Sequence, residues 1–315
     1  MERPTLLVKS GGEAAMPEWQ ALFADIAPHL DVRSIDDPAV PPERVRYALV
    51  WAPAPGRLAC LPNLRLIVSS GAGVDHIVSD PDCPLHVPIV RMGGDEAAQR
   101  MAEYVCLAAL ALLRDLPRLL AQQRARWWEE PEPGPTAPET TVGIMGLGNL
   151  GAAAALMLLG LGFQVAGWSR LPKSIPGIAC FAGPSERAAF LRRTDILVNL
   201  LPDTPDTRGM IDGALLSELR PGACVVNAGR GPQLVIADLL QALDASQVAG
   251  AVLDVFEEEP LPTDHPVWTH PCVIVTPHVA STSSRRARAR YAAEAITAFE
   301  RGERLPNLYD PVRGY

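Results

Sequence analysis

Apolar positions in the first hundred residues fall into short runs separated by polar or helical segments. Four of these runs, residues 5–8, 47–51, 66–68 and 88–90, have the length of buried strands. Short apolar runs that alternate with helical segments predict an α/β fold with a parallel sheet. Residues 96–123 carry apolar positions at helical spacing, which predicts one long helix bridging two domains.

The alternation resumes after residues 129–138, a segment rich in proline and glutamate that cannot continue a helix. Six further strand-length runs are residues 141–145, 163–167, 195–200, 223–227, 247–253 and 272–276. They predict a complete doubly wound parallel sheet. We therefore predict two Rossmann-like α/β domains with an active-site cleft between them. Residues 1–95 with 285–315 would form a discontinuous, flavodoxin-like substrate-binding domain, and residues 96–284 a dinucleotide-binding domain.

One stretch also allows a different interpretation, because no charged residue occurs between Glu139 and Arg170 and this span is long enough to cross a bilayer. Glycines divide the span into strand, turn, helix, turn and strand. Parallel strands covered by helices on both faces are also continuously apolar. We therefore favour a soluble protein, and because residues 1–20 lack the apolar run of a signal peptide, we expect it in the cytoplasm.

Charge and cysteine content narrow the functional classes. A formal net charge of −8 argues against broad binding to nucleic acid or to an anionic membrane. The basic cluster Arg285, Arg286, Arg288 and Arg290 is interpreted as the solvated side of a C-terminal helix. Six scattered cysteines show neither C-x-x-C pairing nor a histidine partner at metal-site spacing, so we predict no disulfides, no metal site and a reducing compartment.

A glycine pattern follows the first strand of the second domain. The sequence G-x-G-x-x-G lies between an apolar strand and an alanine-rich helix, the context of a dinucleotide-binding loop. Gly146 permits a tight turn, Gly148 lets the backbone approach a pyrophosphate, and Gly151 allows close packing of helix on strand. The predicted contacts of this loop are Gly146, Leu147, Gly148, Asn149, Leu150 and Gly151.

The end of the next strand indicates which dinucleotide binds. Proteins that bind NAD place an Asp or Glu there to accept hydrogen bonds from the adenine ribose. This chain instead has Ser169 and Arg170, with Lys173 close behind. Because Arg and Lys pair with a 2′-phosphate and Ser donates to it, we predict NADPH in preference to NADH.

Three side chains after later strands have the chemistry for reducing a 2-keto acid. The reaction needs a cation for the carboxylate and carbonyl, a proton donor, and a group that raises the donor's pKa. Arg230, Glu259 and His278 supply these three types, each just past a predicted strand.

The motifs around these residues resemble those of the D-isomer-specific 2-hydroxyacid dehydrogenases, over nearly the whole chain. The matching motifs are N-x-x-R-G, L-D-V-F-x-x-E-P and T-P-H. The resemblance implies that His278 donates the proton, Glu259 orients it, and Arg230 binds the substrate's carboxylate and carbonyl. It also implies cofactor contacts, with Asp254 near the nicotinamide; the further contacts are Leu200, Leu201, Pro202, Ala228, Gly229, Arg230, His278 and Ala280.

The first domain also resembles this family, in the segment S-S-G-A-G-V-D that begins at Ser69. The resemblance implies that the amides of Ala72, Gly73 and Val74 hold the substrate carboxylate. Within the family, the chain is most similar to the glyoxylate/hydroxypyruvate reductase A subgroup, through A-L-V-W, W-S-R and the closing R-G-Y. This implies a preference for NADPH and a small-substrate pocket lined by Trp51.

Together these features predict NADPH-dependent reduction of glyoxylate to glycolate and of hydroxypyruvate to D-glycerate. The resemblance implies a homodimer, with residues 96–123 and the proline-rich loop as candidate interface. Three alternatives stay open. One is a dinucleotide-sensing binding protein of the C-terminal-binding corepressor type, and another is a D-2-hydroxyacid dehydrogenase that uses NAD. A formate dehydrogenase, the third, would be expected to carry Gln in place of Glu259.

Overall fold

A computed structural model describes residues 3–315 as an alternation of strands and helices. The strands are β1 (Thr5–Lys9), β2 (Asp31–Ser34), β3 (Val45–Val50), β4 (Leu66–Ser69), β5 (Ile89–Val90), β6 (Thr141–Met145), β7 (Gln164–Ser169), β8 (Ala179–Ala182), β9 (Ile196–Asn199), β10 (Ala223–Asn227), β11 (Val248–Leu253) and β12 (Val273–Val275). The α-helices are α1 (Met16–Ile26), α2 (Asp75–Val78), α3 (Asp95–Leu113), α4 (Leu116–Ala125), α5 (Asn149–Gly160), α6 (Gly183–Leu191), α7 (Gly213–Glu218), α8 (Ile236–Asp244) and α9 (Arg285–Glu300).

Two compact units divide the chain, one reaching up to Glu96 and including Ser283–Tyr315, the other comprising Ala97–Thr282. The boundaries expected from the sequence, after residues 95 and 284, lie within two residues of these divisions. The first unit contains a parallel sheet of order β2-β1-β3-β4-β5. From β1 the chain adds β2 on one side and then β3, β4 and β5 on the other, so the strand order switches between β1 and β3. Ligands bind at such a switch point in open α/β sheets.

Both faces of the first sheet are buried. In β1, Leu6 and Val8 belong to the apolar cluster on one face and Leu7 to the cluster on the other. Helices α1 and α9 cover the first of these faces, with Trp19 and Ile296 fully buried there. The C-terminal helix therefore packs on the first unit.

The second unit contains a seven-stranded parallel sheet of order β12-β11-β10-β9-β6-β7-β8. Its first strand, β6, lies in the interior, and the chain winds outward from it in both directions, as in dinucleotide-binding domains. Val142 and Ile144 face one apolar cluster and Met145 the other. The two sheets confirm the prediction of two parallel-sheet α/β domains. Because the strands are parallel, their carboxyl ends share one edge of each sheet.

The sequence pattern missed two strands, β2 and β8. Both lie at the edge of their sheet, and in β2 the partly exposed Asp31 and exposed Arg33 alternate with buried Val32. Because β2 is half solvated, it lacks the continuous apolar run by which the central strands were recognised. This reason does not apply to β8, which is apolar throughout.

The prediction of one helix over residues 96–123 is wrong. Helix α3 ends at Leu113, Asp115 adopts a left-handed conformation with φ of 50°, and α4 begins at Leu116 with Pro117 in its first turn. Proline favours a helix start, and aspartate tolerates the left-handed region that a sharp turn requires. The apolar spacing continues through Leu116 and Leu119, so periodicity alone concealed the break.

The uncharged span that could have crossed a bilayer forms β6, a turn, α5 and β7. Within residues 3–315, no helix combines the length and the apolarity that a membrane crossing needs.

Candidate active site

The glycine loop between β6 and α5 has the geometry of a phosphate-binding turn. Gly146 has φ of 103°, and a Cβ there would lie 2.7 Å from the carbonyl oxygen of Leu200. A Cβ on Gly151 would lie 1.9 Å from the oxygen of Gly146, whereas one on Gly148 would meet no atom within 4 Å. Helix α5 starts without a side-chain cap. Its first N–H groups and the open face of Gly148 therefore fit a dinucleotide pyrophosphate.

Most other predicted cofactor contacts lie at the same edge of this sheet. Leu200–Pro202 follow β9, Ala228 and Gly229 follow β10, and Asp254 follows β11. Leu147 also lies at this edge, in the glycine loop. Its side chain is buried against Gly167, so only its backbone remains available to a ligand.

The end of β7 carries the groups predicted to select the dinucleotide. Arg170 is exposed, and Lys173 donates a hydrogen bond of 2.5 Å from Nζ to the carbonyl oxygen of Leu147, inside the glycine loop. Ser169 is buried and donates instead to the carbonyl of Leu171 at 2.8 Å. The serine hydroxyl therefore differs from the sequence expectation, since it is directed to the backbone rather than outward.

The structure brings His278 and Glu259 into direct contact. Nδ1 of His278 lies 2.7 Å from Oε2 of Glu259, and Oε1 of Glu259 accepts a hydrogen bond of 2.9 Å from the N–H of Phe256. Both carboxylate oxygens are thus engaged, which fixes the plane of the carboxylate and through it the imidazole.

The electrostatics of this pair favour an ionised carboxylate. Burial alone would raise the pKa of Glu259, but hydrogen bonds from His278 and from the Phe256 N–H, and the charges of His278 and Arg230, outweigh it. The pKa of Glu259 is therefore lowered. An acceptor that stays charged at neutral pH stabilises the protonated imidazole beside it.

Asp254 holds the backbone on both sides of His278. Its carbonyl accepts from the His278 N–H at 2.8 Å, and its carboxylate accepts from the N–H groups of Val279 and Ala280, each at 2.9 Å. His278 itself has φ of 53°, an uncommon value for a residue with a side chain. These bonds over-determine the conformation, so Asp254 acts here as a buried support.

Thr276 and Tyr104 extend this support and were missed by sequence reasoning. The Thr276 hydroxyl donates to the Asp254 carboxylate at 2.6 Å, and Tyr104 of α3 shares a hydrogen bond of 2.7 Å with the same hydroxyl. Only the T-P-H motif singled out this segment, and nothing in the sequence of α3 linked Tyr104 to it.

The first unit places its predicted substrate residues at the carboxyl edge of its own sheet. The loop after β4 is organised by Ser69, whose hydroxyl lies 2.8 Å from the carbonyl oxygen of Gly73. In residues 3–315, the N–H groups of Ala72, Gly73 and Val74 make no hydrogen bond. These amides therefore suit an anionic ligand.

Trp51 lies against this loop. A Cβ on Gly71 would come within 2.4 Å of its ring, and the Trp51 and His76 rings lie 3.9 Å apart between centroids. The contact with Trp51 makes His76 the support of a predicted pocket residue.

Comparisons with known proteins agree with the family resemblance of the motifs. The family model described as D-isomer specific 2-hydroxyacid dehydrogenase, NAD binding domain, matches residues 106–280, more than half of the chain. The glyoxylate/hydroxypyruvate reductase A of Serratia proteamaculans is 39% identical over 307 residues, covering 95% of this chain and 96% of the relative.

Two solved structures match nearly the entire chain. A D-isomer specific 2-hydroxyacid dehydrogenase from Xanthobacter autotrophicus, in complex with NADPH and MES, has a TM-score of 0.93 and 42% identity, covering 99% of this chain and 100% of its own. An NADPH-dependent glyoxylate/hydroxypyruvate reductase from Sinorhizobium meliloti, in complex with NADP and sulfate, has a TM-score of 0.92 and 39% identity, with the same coverage. The chain therefore belongs to the family of D-isomer-specific 2-hydroxyacid dehydrogenases.

Proposed function

We propose that this protein uses NADPH to reduce small 2-keto acids, glyoxylate to glycolate and hydroxypyruvate to D-glycerate. The observation that carries the proposal is the 2.7 Å contact between His278 and Glu259, at the edge of the sheet that bears the glycine loop. It is supported by relatives named glyoxylate/hydroxypyruvate reductase A at about 40% identity.

The residues around the glycine loop fit NADPH. Its pyrophosphate would lie on Gly146–Gly151 and the start of α5, and Arg170 would pair with the 2′-phosphate. No carboxylate ends β7, so nothing there repels that phosphate. Structures of the Xanthobacter and Sinorhizobium proteins hold NADPH and NADP, which supports this cofactor. When bound, NADPH supplies the hydride for the carbonyl carbon of the substrate.

The chain's own groups would handle the proton and the charge. Arg230 would pair with the substrate carboxylate and polarise its carbonyl. In the first unit, the amides of Ala72, Gly73 and Val74 would bind a carboxylate. His278 would donate the proton on Nε2 to the carbonyl oxygen, because Nδ1 is held by Glu259. Trp51 would restrict the site to short substrates.

We further propose that the protein is a cytoplasmic homodimer. Several large apolar side chains on α3, on α4 and in the loop after α4 are solvent-exposed; they are Leu107, Leu110, Leu119, Trp127 and Trp128, the last with 98% exposure. Exposed large apolar side chains concentrated in one segment of the chain favour a protein interface there. All six cysteines are free thiols, in agreement with a reducing compartment.

The proposal is tested by following NADPH and NADH absorbance with glyoxylate, hydroxypyruvate, pyruvate and phenylpyruvate as substrates. We expect turnover of the first two with NADPH and weaker turnover with NADH or with phenylpyruvate. NADPH binding without oxidation by any of the four would support the dinucleotide-sensing binding protein instead. Gel filtration with light scattering checks the dimer.

A further inference from the structure

Three buried amide side chains lie beneath the loop that carries Arg230. Asn199 ends β9, Asn227 ends β10, and Gln233 follows the Arg230 loop; all three are completely inaccessible to solvent. Buried amides are costly unless every donor and acceptor finds a partner. The partners of these three amides therefore indicate what the cluster holds in place.

Gln233 joins two loops through the oxygen and the nitrogen of its side-chain amide. Its Oε1 accepts from the N–H of Arg230 at 2.8 Å and from Nδ2 of Asn199 at 2.7 Å. Its Nε2 donates to the carbonyls of Pro202 at 2.7 Å and Leu201 at 3.1 Å. One amide thus connects the Arg230 loop with the loop after β9, where cofactor contacts are expected.

Asn227 holds the other side of Arg230. Its Nδ2 donates to the Arg230 carbonyl and its Oδ1 accepts from the Gly229 N–H, both at 3.3 Å. The loop packs closely on the amides, since a Cβ on Gly229 would lie 2.5 Å from Oε1 of Gln233. On the far side, a Cβ on Gly231 would lie 1.9 Å from the Phe256 backbone.

We propose that Gln233 is a positioning residue that sets Arg230 and the Leu201–Pro202 loop in one fixed arrangement. The proposal rests on the function proposed above. Gln233 is too deeply buried to touch a substrate, so it acts through the peptide of Arg230 and through the two carbonyls. Misplacing a substrate-binding group by about 1 Å costs on the order of 100-fold in rate, which makes such support consequential.

The test compares Gln233→Met with Gln247→Met. Gln247 also donates from Nε2 to two carbonyls, Leu216 at 3.1 Å and Leu219 at 3.2 Å, but it precedes β11 at the opposite edge of the sheet. Both variants lose amide–carbonyl bonds, so both should lower the melting temperature. Only Gln233→Met should raise the KM for glyoxylate and lower kcat, with kcat/KM reduced about 100-fold.

A second measurement does not depend on turnover. In the cofactor-free protein, hydrogen–deuterium exchange at the Arg230 amide should accelerate in Gln233→Met and stay at the parent rate in Gln247→Met. Gln233→Glu keeps an oxygen for the Arg230 N–H but loses the donor to the Leu201 and Pro202 carbonyls, so its KM for glyoxylate should lie between those of the parent and Gln233→Met. If Gln233→Met fails to fold, the comparison is made between Gln233→Glu and Gln247→Glu, where a raised glyoxylate KM is again expected only at position 233.

Equal kinetics and equal exchange in the variants at positions 233 and 247 would overturn the positioning role. A parent protein that does not reduce glyoxylate would instead contradict the proposed function. The exchange of the Arg230 amide would still decide whether Gln233 holds that loop.

Discussion

Nδ1 of His278 lies 2.7 Å from Oε2 of Glu259, and this contact leaves the opposite nitrogen, Nε2, as the one suited to exchange a proton with a substrate. The carboxylate is itself held by the Phe256 N–H, and the backbone of His278 is held by Asp254. Proton donation requires a group fixed within hydrogen-bond reach of the reacting oxygen. The contacts of Glu259 and Asp254 fix His278, so its orientation does not depend on the histidine alone.

Replacing Glu259 with Gln should lower kcat about 100-fold, within the range that general acid–base catalysis contributes. Glutamine keeps the size of the side chain but removes the negative charge that stabilises a protonated His278. NADPH affinity, measured by tryptophan fluorescence, should be unchanged because Glu259 is not among the expected cofactor contacts. A variant with the kcat of the parent would contradict the role given to the carboxylate.

The lowered pKa of Glu259 predicts how stability depends on pH. The folded-state pKa lies below the ordinary value of 4.5, so the ionised carboxylate stabilises the fold above that value, and this stabilisation is lost as pH falls through the folded-state pKa. The difference in melting temperature between the parent and Glu259→Gln should therefore be present at neutral pH and shrink in acid.

Glu139 supplies a matched control for this experiment. Hydrogen bonds from the Thr136 side chain and backbone lower its pKa too, but it lies before β6, far along the chain from the predicted catalytic residues. Glu139→Gln should show the same loss of its stability difference in acid and should leave kcat unchanged. An effect of Glu139→Gln on kcat would mean that the assay reports stability and not chemistry.

The sequence was sufficient to locate the glycine loop because its signal is local. Gly151 shows this, because a Cβ there would lie 1.9 Å from the carbonyl oxygen of Gly146 within the same turn. The Arg230, Glu259 and His278 motifs were also found, since each follows a strongly apolar strand. The family resemblance implied the proximity of Glu259 and His278, and a parallel sheet whose strands end at a common edge allows it.

Long-range supports could not be predicted in this way. Tyr104 and Thr276 are 172 positions apart, and no pattern in either segment marks their hydrogen bond. The role of Gln233 could not be predicted either, because a glutamine in a turn is ordinarily solvated. Only the tertiary fold buries this side chain. The break between α3 and α4 was hidden because an apolar spacing reports burial and not the continuity of the helix axis.

Two glycine substitutions should separate folding from cofactor binding. Gly151→Ala places a Cβ 1.9 Å from a backbone oxygen, so it should lower the melting temperature substantially. Gly148→Ala has open space around the new Cβ and an ordinary φ of −71°, so the fold should be unaffected. Its KM for NADPH should nevertheless rise, because the methyl group occupies the approach of the pyrophosphate. A parent-like KM in Gly148→Ala would contradict the placement of the pyrophosphate.

Arg170 and Lys173 should affect the two dinucleotides differently. Arg170→Ala should raise the KM for NADPH about tenfold, because the variant loses one charge-assisted hydrogen bond to the 2′-phosphate. The KM for NADH should be unchanged. Lys173 bonds to the Leu147 carbonyl inside the glycine loop, so Lys173→Met should raise the KM for both cofactors. Steady-state kinetics with each cofactor test this difference, and equal effects of Arg170→Ala on both cofactors would remove the argument for 2′-phosphate recognition.

Trp51 should set the upper size limit of the substrate. Its ring lies over Gly71 and stacks on His76, so Trp51→Ala opens space beside the loop whose amides are expected to bind the substrate carboxylate. The ratio of kcat/KM for phenylpyruvate to that for glyoxylate should rise about tenfold, the scale on which pocket size discriminates small substrates. His76→Ala should give a smaller change in the same direction, because it removes the support and leaves the indole present. As a control, the melting temperature and the NADPH affinity of both variants should be unchanged, which would confine the effect to the pocket. An unchanged substrate ratio in Trp51→Ala would show that the indole does not limit substrate size.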